Sequence, residues 1–570
     1  MRKYFQINLA DRSIETQERS GEALSHAGRY FIAKTLLDQG VAKVDPLSDK
    51  NPLIFSAGPF AGTNFSNANR ISVGCKSPLT GGIKEANAGG TFAVAMGHLG
   101  IAGFTLHGAS DDWVVIRIPR EGDISFETAE PYMGKGNVEA AALLFEKYGE
   151  KVSVALCGPV GEYQGLLAGI GFSDPEGRPA RLAARGGVGA VMGRKKVKAI
   201  VIDKAKMPAM HDRKKMTQGV REYGAQVQEH AGLKNLNQFG TAFMADVTNH
   251  IGGLPVNNFS RGRLTDGTLK MGGDYIHEQN TARGGEQTHA CMPGCLIKCS
   301  NVYNCAKGEE MVAPLEYETI GLMGTNCGLT EPDDVAELNA IANDLGIDSI
   351  ETGAVLGVAM EAGLAPFGDM VFLRTALHDI ACGNERGRLF AQGVARVGEH
   401  YGVQRIPAVK RQALSAYDPR VIEVTGISMM VSAQGGDHTV GNVGGFDCKG
   451  KSIAELVDAS MKAQISAAAA DSMGMCIFGR VVTDTNHELL AQTFNSIYGT
   501  EIEASFVNIL GRETLRLEKA FNQEAGFSED DDEYPDFFYN EPLAPSHKVV
   551  RLYSEEVNRC IDDWQANNPL

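Results

Sequence analysis

The run Cys291-Met292-Pro293-Gly294-Cys295-Leu296-Ile297-Lys298-Cys299 places three cysteines within nine residues. On a straight helix the outer two sulfur atoms would lie about 12 Å apart along the axis. Pro293 and Gly294 favour a turning loop instead, and such a loop can bring three thiolates around one centre. The fold around this run is therefore expected to enclose a metal.

The fourth ligand of this centre must come from elsewhere in the chain, because three thiolates do not close a tetrahedral site. Cys305, Cys327 and Cys476 are the nearest candidates. Spacing does not separate Zn²⁺ from an iron–sulfur cluster, so both metals stay open at this point. Three incidental buried cysteines are the remaining alternative.

Length and charge bound the class of protein. A chain of 570 residues is too long for one hydrophobic core, and about three domains are expected. The net charge of −16 argues against a nucleic-acid partner. No targeting segment follows Met1, and no apolar run approaches the roughly 18–20 residues that cross a bilayer. We expect a cytoplasmic protein without membrane insertion, whose eleven cysteines stay reduced.

Glycine is unusually frequent in this chain. There are 67 glycines, nearly twice the usual share of about 7%. Many occur in pairs such as Gly89-Gly90 and Gly435-Gly436. Paired glycines let a backbone approach a bound group closely, which predicts a large buried cofactor.

Periodicity divides the chain into a strand-rich and a helical part. Short apolar runs such as 113–118, separated by glycine and proline turns, are typical of strands. From about residue 206, apolar residues recur at helical spacing, as in 332–361. We predict an α+β fold with a β-rich domain over 1–205, a helical domain over 206–411 carrying the three-cysteine loop, and a C-terminal helical domain over 412–570 carrying Cys476.

Two segments repeat one frame. Residues 343–348 (Asn-Asp-Leu-Gly-Ile-Asp) and 471–476 (Asp-Ser-Met-Gly-Met-Cys) both read Asx-x-x-Gly-apolar-(Asp/Cys). The glycine would end a helix in each case, and two such frames also arise by chance. On a functional interpretation, the two Asx side chains accept hydrogen bonds from two equivalent edges of a ligand.

Glycine-rich stretches beside basic residues favour phosphate binding. Residues 76–82 and 181–193 combine Lys or Arg with clustered glycine, whose N–H groups suit phosphate. Gly187, Gly189 and Gly193 miss the G-x-G-x-x-G spacing, and the preceding residues do not read as a strand. We therefore do not predict a dinucleotide fold.

Taken in order, these and further motifs resemble the tungsten-containing aldehyde:ferredoxin oxidoreductase family over nearly the whole chain. The motifs lie at residues 9–15, 57–59, 76–81, 185–193, 316–319, 416–420, 471–476 and 538–542. The resemblance implies oxidation of a small-molecule aldehyde with water to a carboxylic acid. The reaction would occur at a tungsten or molybdenum centre held by two pyranopterins and cradled by the β-rich domain. Electrons would leave through a [4Fe–4S] cluster to ferredoxin or a ferredoxin-like subunit, in a homo- or hetero-oligomer.

The resemblance also implies roles for individual residues. The cluster ligands would be Cys291, Cys295, Cys299 and Cys476. Arg70 would link the cluster to a pterin. The implied cofactor-binding set is Arg70, Asn87, Gly89, Arg181, Leu182, Asn343, Asp348 and Asp471, in which Asn87 and Leu182 offer backbone carbonyls to a Mg²⁺ that bridges the pterin phosphates, and Asn343 and Asp471 accept pterin N–H groups.

Three catalytic residues follow from the same resemblance. Glu318 would act as general base towards water or the hydrated aldehyde. His438 would donate a hydrogen bond or proton to the carbonyl oxygen, and Tyr417 would line the pocket. The structural alternatives are a helix-surface glutamate, a core histidine and a packed tyrosine.

Three departures from the family pattern bear on these roles. The first two cysteines are separated by three residues instead of two. Asn343 replaces an aspartate, so one pterin would lose a charged acceptor. Asn339 and Ala340 follow Glu337-Leu338 where some members have Glu-x-x-His, so an interface metal is not expected.

Two other functions are alternatives. One is a carboxylic-acid or aromatic acyl-CoA reductase of the same architecture. The other is a pterin-free iron–sulfur or zinc subunit that relays electrons. Arg70, Asn87, Arg181 and Asp471 argue against a relay, because a relay needs no pterin site.

Overall fold

The computed structural model describes residues 1–569, and the first 203 of these build two six-stranded sheets. The first sheet contains β1 Arg2–Asn8, β2 Ile14–Arg19, β3 Leu53–Ala57, β4 Ile71–Lys76, β5 Ile83–Ala88 and β6 Ile101–His107. The second contains β7 Val114–Ile118, β8 Ser125–Thr128, β9 Val152–Cys157, β10 Ile170–Phe172, β11 Arg181–Ala183 and β12 Val197–Asp203. Their helices are α1 Gly28–Asp38, α2 Phe92–His98, α3 Asn137–Tyr148, α4 Pro159–Glu162 and α5 Val188–Arg194.

The two sheets have the same topology. The spatial orders are β2-β1-β6-β3-β4-β5 and β8-β7-β12-β9-β10-β11. In each sheet the first strand forms a hairpin with the second and pairs in parallel with the last, and the remaining pairs are antiparallel. The β-rich N-terminal region is thus confirmed, and it consists of one unit built twice.

The two sheets share a core. Strands β3, β4 and β9 are buried along their whole length, which is typical of sheets covered on both faces. Phe92 of the first unit packs edge-to-face on Phe172 of the second, with ring centroids 5.3 Å apart. Such aromatic contacts fix the two units against each other.

One sequence-based inference about this region was wrong. The residues before Gly187 do form a strand, β11, which pairs with β10. It has only three residues and a single partner, so hydrophobic alternation had no length over which to show. The pairing is antiparallel, so the segment is still not the parallel βαβ unit of a dinucleotide fold.

The rest of the chain is mainly helical, as predicted. The helices are α6 Arg213–Glu229, α7 Ala231–Phe239, α8 Phe243–Ile251, α9 Gly273–Ala282, α10 Tyr317–Thr319, α11 Pro332–Leu345, α12 Ser349–Glu361, α13 Met370–Cys382, α14 Glu385–Phe390, α15 Val394–Tyr401, α16 Glu423–Val431, α17 Ile453–Ser472, α18 Arg480–Thr483, α19 His487–Tyr498, α20 Phe506–Ala525, α21 Phe537–Asn540 and α22 Ser554–Asn567. Small sheets are formed by β13 Glu286–His289, β14 Ser300–Asn304 and β15 Glu310–Val312, and by β16 Ala408–Val409 and β17 Gln412–Ala413. No helix within residues 1–569 has both the length and the apolarity to cross a membrane.

The predicted boundary at 411 lies in the turn between β16 and β17. One hydrophobic core contains residues from both sides of it, from Val160 to Ile561. The division of the helical part into two domains therefore stays a prediction.

Two helix ends carry the repeated frames. Helix α11 ends at Gly346 in the left-handed conformation, and Asp348 then caps α12 by accepting the Ile350 N–H. Helix α17 begins with a capping box at Ser452 and ends before Gly474, which is also left-handed. Glycine permits this conformation without a Cβ penalty, so both frames turn sharply towards the sheets.

Candidate cofactor and active site

Each frame docks on one sheet, and the two docking arrangements match. In both, the carbonyl of the frame glycine accepts a backbone hydrogen bond from the segment that precedes β4 or β10. The N–H of the last frame residue donates a backbone hydrogen bond to the same segment. The matched backbone bonds are Arg70 N–H to Gly474 O (3.0 Å) with Gly169 N–H to Gly346 O (2.8 Å), and Cys476 N–H to Asn67 O (2.8 Å) with Asp348 N–H to Leu167 O (2.9 Å). The two frames are therefore held in equivalent places.

Close packing at two glycines makes this docking specific. A Cβ at Gly58 would lie 2.0 Å from the Met473 carbonyl oxygen, and one at Gly158 would lie 2.2 Å from that of Leu345. Both glycines directly follow a third strand, β3 or β9, and precede a proline. Backbone approach of this kind leaves only glycine at these positions.

The edge strands β5 and β11 bring together the predicted Mg²⁺ ligands. Asn87 pairs with Ser72 in the first sheet, and Leu182 pairs with Gly171 in the second. These are the same register position in the two units, and β5 and β11 are neighbours in space. Asn87 and Leu182 therefore occupy equivalent positions on the two neighbouring edge strands.

The cysteine loop and Cys476 converge. Burial raises the pKa of the Cys476 thiol to about 11, Arg70 opposes the rise, and Cys291 reinforces it. Burial, followed by the neighbouring Cys291, raises the pKa of Cys295 to about 12. Cys299 has a raised pKa from burial and from the other three thiols. The four predicted ligands therefore form one group.

The alternative fourth ligands lie elsewhere. The Cys327 thiol is fully buried and donates weakly to the Leu322 and Gly353 carbonyls, both at 3.4 Å. Burial alone raises its pKa. The backbone of Cys305 closes a turn with Gly308 and Glu309. Of the three candidates, the fold brings only Cys476 to the loop.

The spacing of the four sulfur atoms bears on the two metals that the sequence left open. No three of the four sulfur atoms lie within 4.8 Å of one another. In a tetrahedral zinc site with Zn–S bonds of about 2.3 Å, every pair of sulfurs would be closer, at about 3.8 Å. The sulfur atoms are therefore not arranged as in a closed tetrahedral zinc site, and the iron–sulfur cluster stays a prediction.

A different group is compact enough for a metal but is already neutralised. Asp174, Glu176 and His289 place ligand atoms within 4.8 Å of one another. Arg178 binds both carboxylates, and Arg181 contacts the His289 ring at 3.2 Å. With two guanidinium groups in contact, this is an ion-pair network and not a cation site.

Arg70 lies between the cysteines and Asp471. Its guanidinium donates to the Asn87 side chain and, at 3.1 Å, to the Asn87 carbonyl. Burial lowers its pKa, but Cys476 and the other nearby anionic groups outweigh burial and raise it. This position suits the predicted link between cluster and pterin.

Asp471 belongs to a buried charge network that sequence reasoning missed in part. It accepts from Asn87 Nδ2 and from Arg29, each at 3.2 Å, and Arg29 also binds Glu518 at 2.7 Å. Glu85 lies beside this group, where burial and then Asp471 raise its pKa to about 8. A signal for Glu85 was available, since it stands next to Lys84 and two positions before Asn87 in a short strand that also contains apolar residues.

Several buried polar atoms have no partner within the protein. Glu85 Oε1, Arg181 Nε and Glu318 Oε1 are all buried without a hydrogen bond among the described residues. Buried polar groups are almost always paired. Three orphans beside the predicted cofactor and substrate residues fit a polar group such as a pterin between the sheets and the helices.

Gly89 and Asn343 also lie at this place. A Cβ at Gly89 would be 3.1 Å from the Cys291 sulfur, so glycine lets the strand end approach the cysteine loop. The Asn343 carbonyl accepts from Asn137 at 3.1 Å, and its half-buried side chain has no hydrogen bond in the described part of the chain. That amide is free to meet a ligand.

Glu318, His438 and Tyr417 are brought together although they are far apart in sequence. His438 Nε2 lies 3.3 Å from Glu318 Oε1, and the rings of His438 and Tyr417 are 5.5 Å apart. Ala416 N–H holds Glu318 Oε2 at 2.9 Å, and Ser415 Oγ holds His438 Nδ1 at 2.8 Å. Ser415 was missed because a lone serine carries no motif.

The charges around this group are unusually dense. Burial raises the pKa of Glu318, and His438 opposes the rise. Arg185 lies 3.3 Å from Asp348 and 3.8 Å from Asp437, and Lys84 Nζ binds Asp437 at 2.7 Å. The carboxylate of Asp348, predicted to bind a pterin, thus contacts Arg185 and caps α12. Its role towards the pterin stays a prediction.

Two family models match nearly the whole chain. The N-terminal domain model of aldehyde ferredoxin oxidoreductase matches residues 4–204, and the model of its domains 2 and 3 matches residues 218–564. The tungsten-containing aldehyde ferredoxin oxidoreductase of Pyrococcus furiosus is 31% identical, with 95% of this chain and 92% of the relative covered. The aliphatic sulfonate oxidoreductase WOR-like subunit of the same organism is 25% identical, with 95% and 90% covered.

A solved structure shares the fold. The active site complex BamBC of benzoyl coenzyme A reductase superimposes with a TM-score of 0.82 at 17% identity, covering 99% of this chain and 94% of that chain. With both family models matched almost end to end, the chain belongs to the aldehyde ferredoxin oxidoreductase family of oxidoreductases.

Proposed function

We propose that this protein oxidises an aldehyde with water to a carboxylic acid. The two electrons then leave one at a time through a [4Fe–4S] cluster to ferredoxin or a partner subunit. The observation that carries this proposal is the convergence of Glu318 and His438. His438 Nε2 lies 3.3 Å from Glu318 Oε1, and this contact leaves Oε1 without a hydrogen bond. Such a pair suits proton transfer at a carbonyl carbon.

The cofactor would supply the redox chemistry. A tungsten or molybdenum bis-pyranopterin, when bound, would supply the two-electron redox chemistry of this reaction. The residues that would hold it are Asp471 and Asn343 at the pterin edges, the Asn87 and Leu182 carbonyls at a bridging Mg²⁺, and Arg70, Gly89, Arg181 and Asp348 around them. Cys291, Cys295, Cys299 and Cys476 would hold the cluster.

Glu318 is arranged to hold a proton taken from water. Oε2 is fixed by the Ala416 N–H, so Oε1 is the free acceptor. Burial raises the carboxyl pKa, and a carboxylate with a raised pKa is a stronger base than one in water. The carboxylate can therefore activate water or a hydrated aldehyde.

His438 is arranged to orient the substrate carbonyl. Ser415 binds its Nδ1, so Nε2 faces Glu318 and the space beside it. From there Nε2 can donate to the carbonyl oxygen. Tyr417 is buried against the histidine ring and excludes water from that side.

The alternative functions have less support. The acyl-CoA reductase shares the fold at only 17% identity, and fold alone does not assign a reaction. A pterin-free relay does not account for the unpaired buried atoms Glu85 Oε1 and Arg181 Nε. An aldehyde oxidoreductase accounts for both the catalytic pair and these orphans.

Metal analysis combined with an aldehyde assay tests this proposal. Anaerobically purified protein should contain tungsten or molybdenum and about four irons per chain, and it should reduce viologen dye when an aldehyde is added. Zinc in place of iron, with neither tungsten nor molybdenum, would instead support the scaffold alternative. Full cofactor content without aldehyde turnover would redirect attention to the acyl-CoA or sulfonate reactions.

A further inference from the structure

The cysteine loop reaches the surface of the protein. Cys295 and Cys299 are buried, but Leu296 between them is 36% exposed, and Gly294 and Lys298 are exposed as well. The chain thus alternates between cluster ligand and solvent-facing residue. A partner that contacts Leu296 and Lys298 would be separated from the predicted cluster by its ligands alone.

Helices α6 and α7 extend this surface. A Cβ at Gly224 of α6 would lie 3.0 Å from the Leu296 side chain. Asn237 of α7 donates from Nδ2 to the Ile297 carbonyl at 3.0 Å. The loop and the two helices therefore form one continuous face.

This face is basic on an acidic protein. Of the eight charged residues in α6, α7 and residues 291–299, six are basic and two, Glu222 and Glu229, are acidic. The chain as a whole carries −16, so the rest of it carries about −20 against +4 here. We name as the basic face the six exposed cations Arg213, Lys214, Lys215, Arg221, Lys234 and Lys298.

The cations of the basic face form no ion pairs with carboxylates in residues 1–569. Several other surface cations of this protein pair with carboxylates, as Lys270 does with Glu331 at 2.6 Å. None of the six lies within 4.0 Å of a carboxylate oxygen among residues 1–569. Lys214 and Arg221 are seven residues apart on α6, which puts them on the same side about two turns apart. Unpaired like charges on one side are available to an anionic partner.

We infer that the basic face is the docking surface for a small acidic one-electron carrier of the ferredoxin class, an inference that rests on the proposed function. Each encounter would move one electron from the reduced cluster to an oxidised carrier, so two carriers are reduced per aldehyde. Opposite net charges accelerate encounter, and Leu296 supplies an exposed apolar contact between two of the predicted cluster ligands.

Charge reversal tests this surface. Lys214→Glu/Arg221→Glu should lower kcat/KM for an acidic [4Fe–4S] ferredoxin about tenfold or more, because steering raises association rates by about 10–10³. Aldehyde-dependent viologen reduction should stay unchanged, since a small dye does not need the face. Added salt should slow ferredoxin reduction by the wild-type enzyme more steeply than by the variant.

A matched control isolates position from net charge. Lys50→Glu/Lys151→Glu changes the overall charge equally at two exposed residues of the N-terminal units. This variant should keep the wild-type ferredoxin rate. Equal losses in both variants, or none in Lys214→Glu/Arg221→Glu, would overturn the docking surface.

The outcome can be separated from that of the proposed function. If no aldehyde supports viologen reduction, the proposed reaction fails while the surface stays testable. Holoenzyme reduced with dithionite and freed of the excess is then mixed with oxidised ferredoxin, and cluster reoxidation is followed. A tenfold slower reoxidation in Lys214→Glu/Arg221→Glu supports the surface, and an unchanged rate contradicts it.

Discussion

The two N-terminal units have one topology but different charges where they meet the helical frames. In the first unit the Tyr30 N–H donates to Ser472 Oγ (3.0 Å), and in the second the Val138 N–H donates to Asp344 Oδ1 (2.9 Å). These bonds align the units residue by residue. The aligned pairs are Arg29 with Asn137, Arg70 with Gly169, Asp471 with Asn343, and Cys476 with Asp348.

The two frames differ at their first residue, which is the charged Asp471 in the frame of the first unit and the neutral Asn343 in the frame of the second. Arg29, Arg70 and Asp471 form one buried network beside the cysteines. At the equivalent places of the second unit, only Asp348 is charged, and its partner is Arg185 near the catalytic pair. The frame on the first unit lies beside the predicted cluster ligands, and the frame on the second unit lies beside the predicted catalytic pair.

The two units hold their frames in the same way despite this difference. Both frames are held by backbone hydrogen bonds and by glycine contacts at Gly58 and Gly158. Neither kind of contact depends on side-chain chemistry. The side chains at the four aligned positions were thus free to diverge without loss of docking.

The largest effect is expected at the pair Cys476 and Asp348. Cys476→Ser should lose or convert the cluster and abolish ferredoxin reduction, because a hydroxyl is a poor iron ligand. Asp348→Asn should retain the cluster, since that residue belongs to the frame that docks on the other unit. Iron content and the EPR spectrum of the reduced protein measure both results.

Because Cys476 and Asp348 are aligned, the two variants together test whether the two units differ in function. About four irons and an unchanged EPR signal in Cys476→Ser would mean that another residue is the fourth ligand. Cluster loss in Asp348→Asn would show that the two halves are not independent.

The second prediction concerns the catalytic pair on the substrate side. Glu318→Gln should lower aldehyde turnover by about 10²–10⁴, the usual cost of losing a general base. Burial raises the Glu318 pKa and the base must be ionised, so wild-type kcat/KM should fall as the pH drops through that pKa. This acidic limb should flatten in Glu318→Gln.

Glu316 provides the control for this experiment. It lies two residues away, is 42% exposed and only approaches Arg181 at 3.9 Å. Glu316→Gln should keep the acidic limb and most of the rate. A Glu318→Gln enzyme with full metal content and wild-type turnover would remove Glu318 from the mechanism.

The third prediction tests Asp471, the charged residue that is aligned with Asn343. Asp471→Asn removes a carboxylate that would accept pterin N–H groups and that also binds Arg29. A hydrogen bond to a charged group contributes about 1.5–3 kcal/mol, so pterin affinity should fall about tenfold or more. Pterin content after gel filtration, measured by fluorescence of the oxidised pterin, reports the loss. Undiminished pterin content would contradict the assignment.

Features with a local signature were predictable from sequence. The cysteine loop, the glycine-ended frames and the strand-to-helix change each depend on neighbouring residues, and spacing reveals them. The structure confirms the β-rich then helical fold. It also brings Cys476 to the loop and Glu318 to His438. The cofactor roles of these residues stay predictions.

Features that depend on long-range pairing were not predictable. Arg29 and Glu518 are 489 positions apart, and neither belongs to a motif. The duplication of the sheets was also invisible, because topology is shared while few residues are. Only the pairs Gly58-Pro59 and Gly158-Pro159 mark it in sequence.

The smallest effect is expected at Asn343, the neutral counterpart of Asp471. Asn343→Asp should keep both cofactors, because the protein uses only the carbonyl of this residue, which accepts from Asn137. The half-buried side chain has no hydrogen bond to break among the described residues, so the free energy of unfolding should change by no more than about 0.5 kcal/mol. Pterin content and thermal unfolding of the holoenzyme check this. If a carboxylate is tolerated at position 343 but required at position 471, only the frame beside the predicted cluster needs a charged residue at this position. Loss of pterin in Asn343→Asp would show instead that the neutral amide is needed, and the two halves would then be adapted to two differently charged pterin environments.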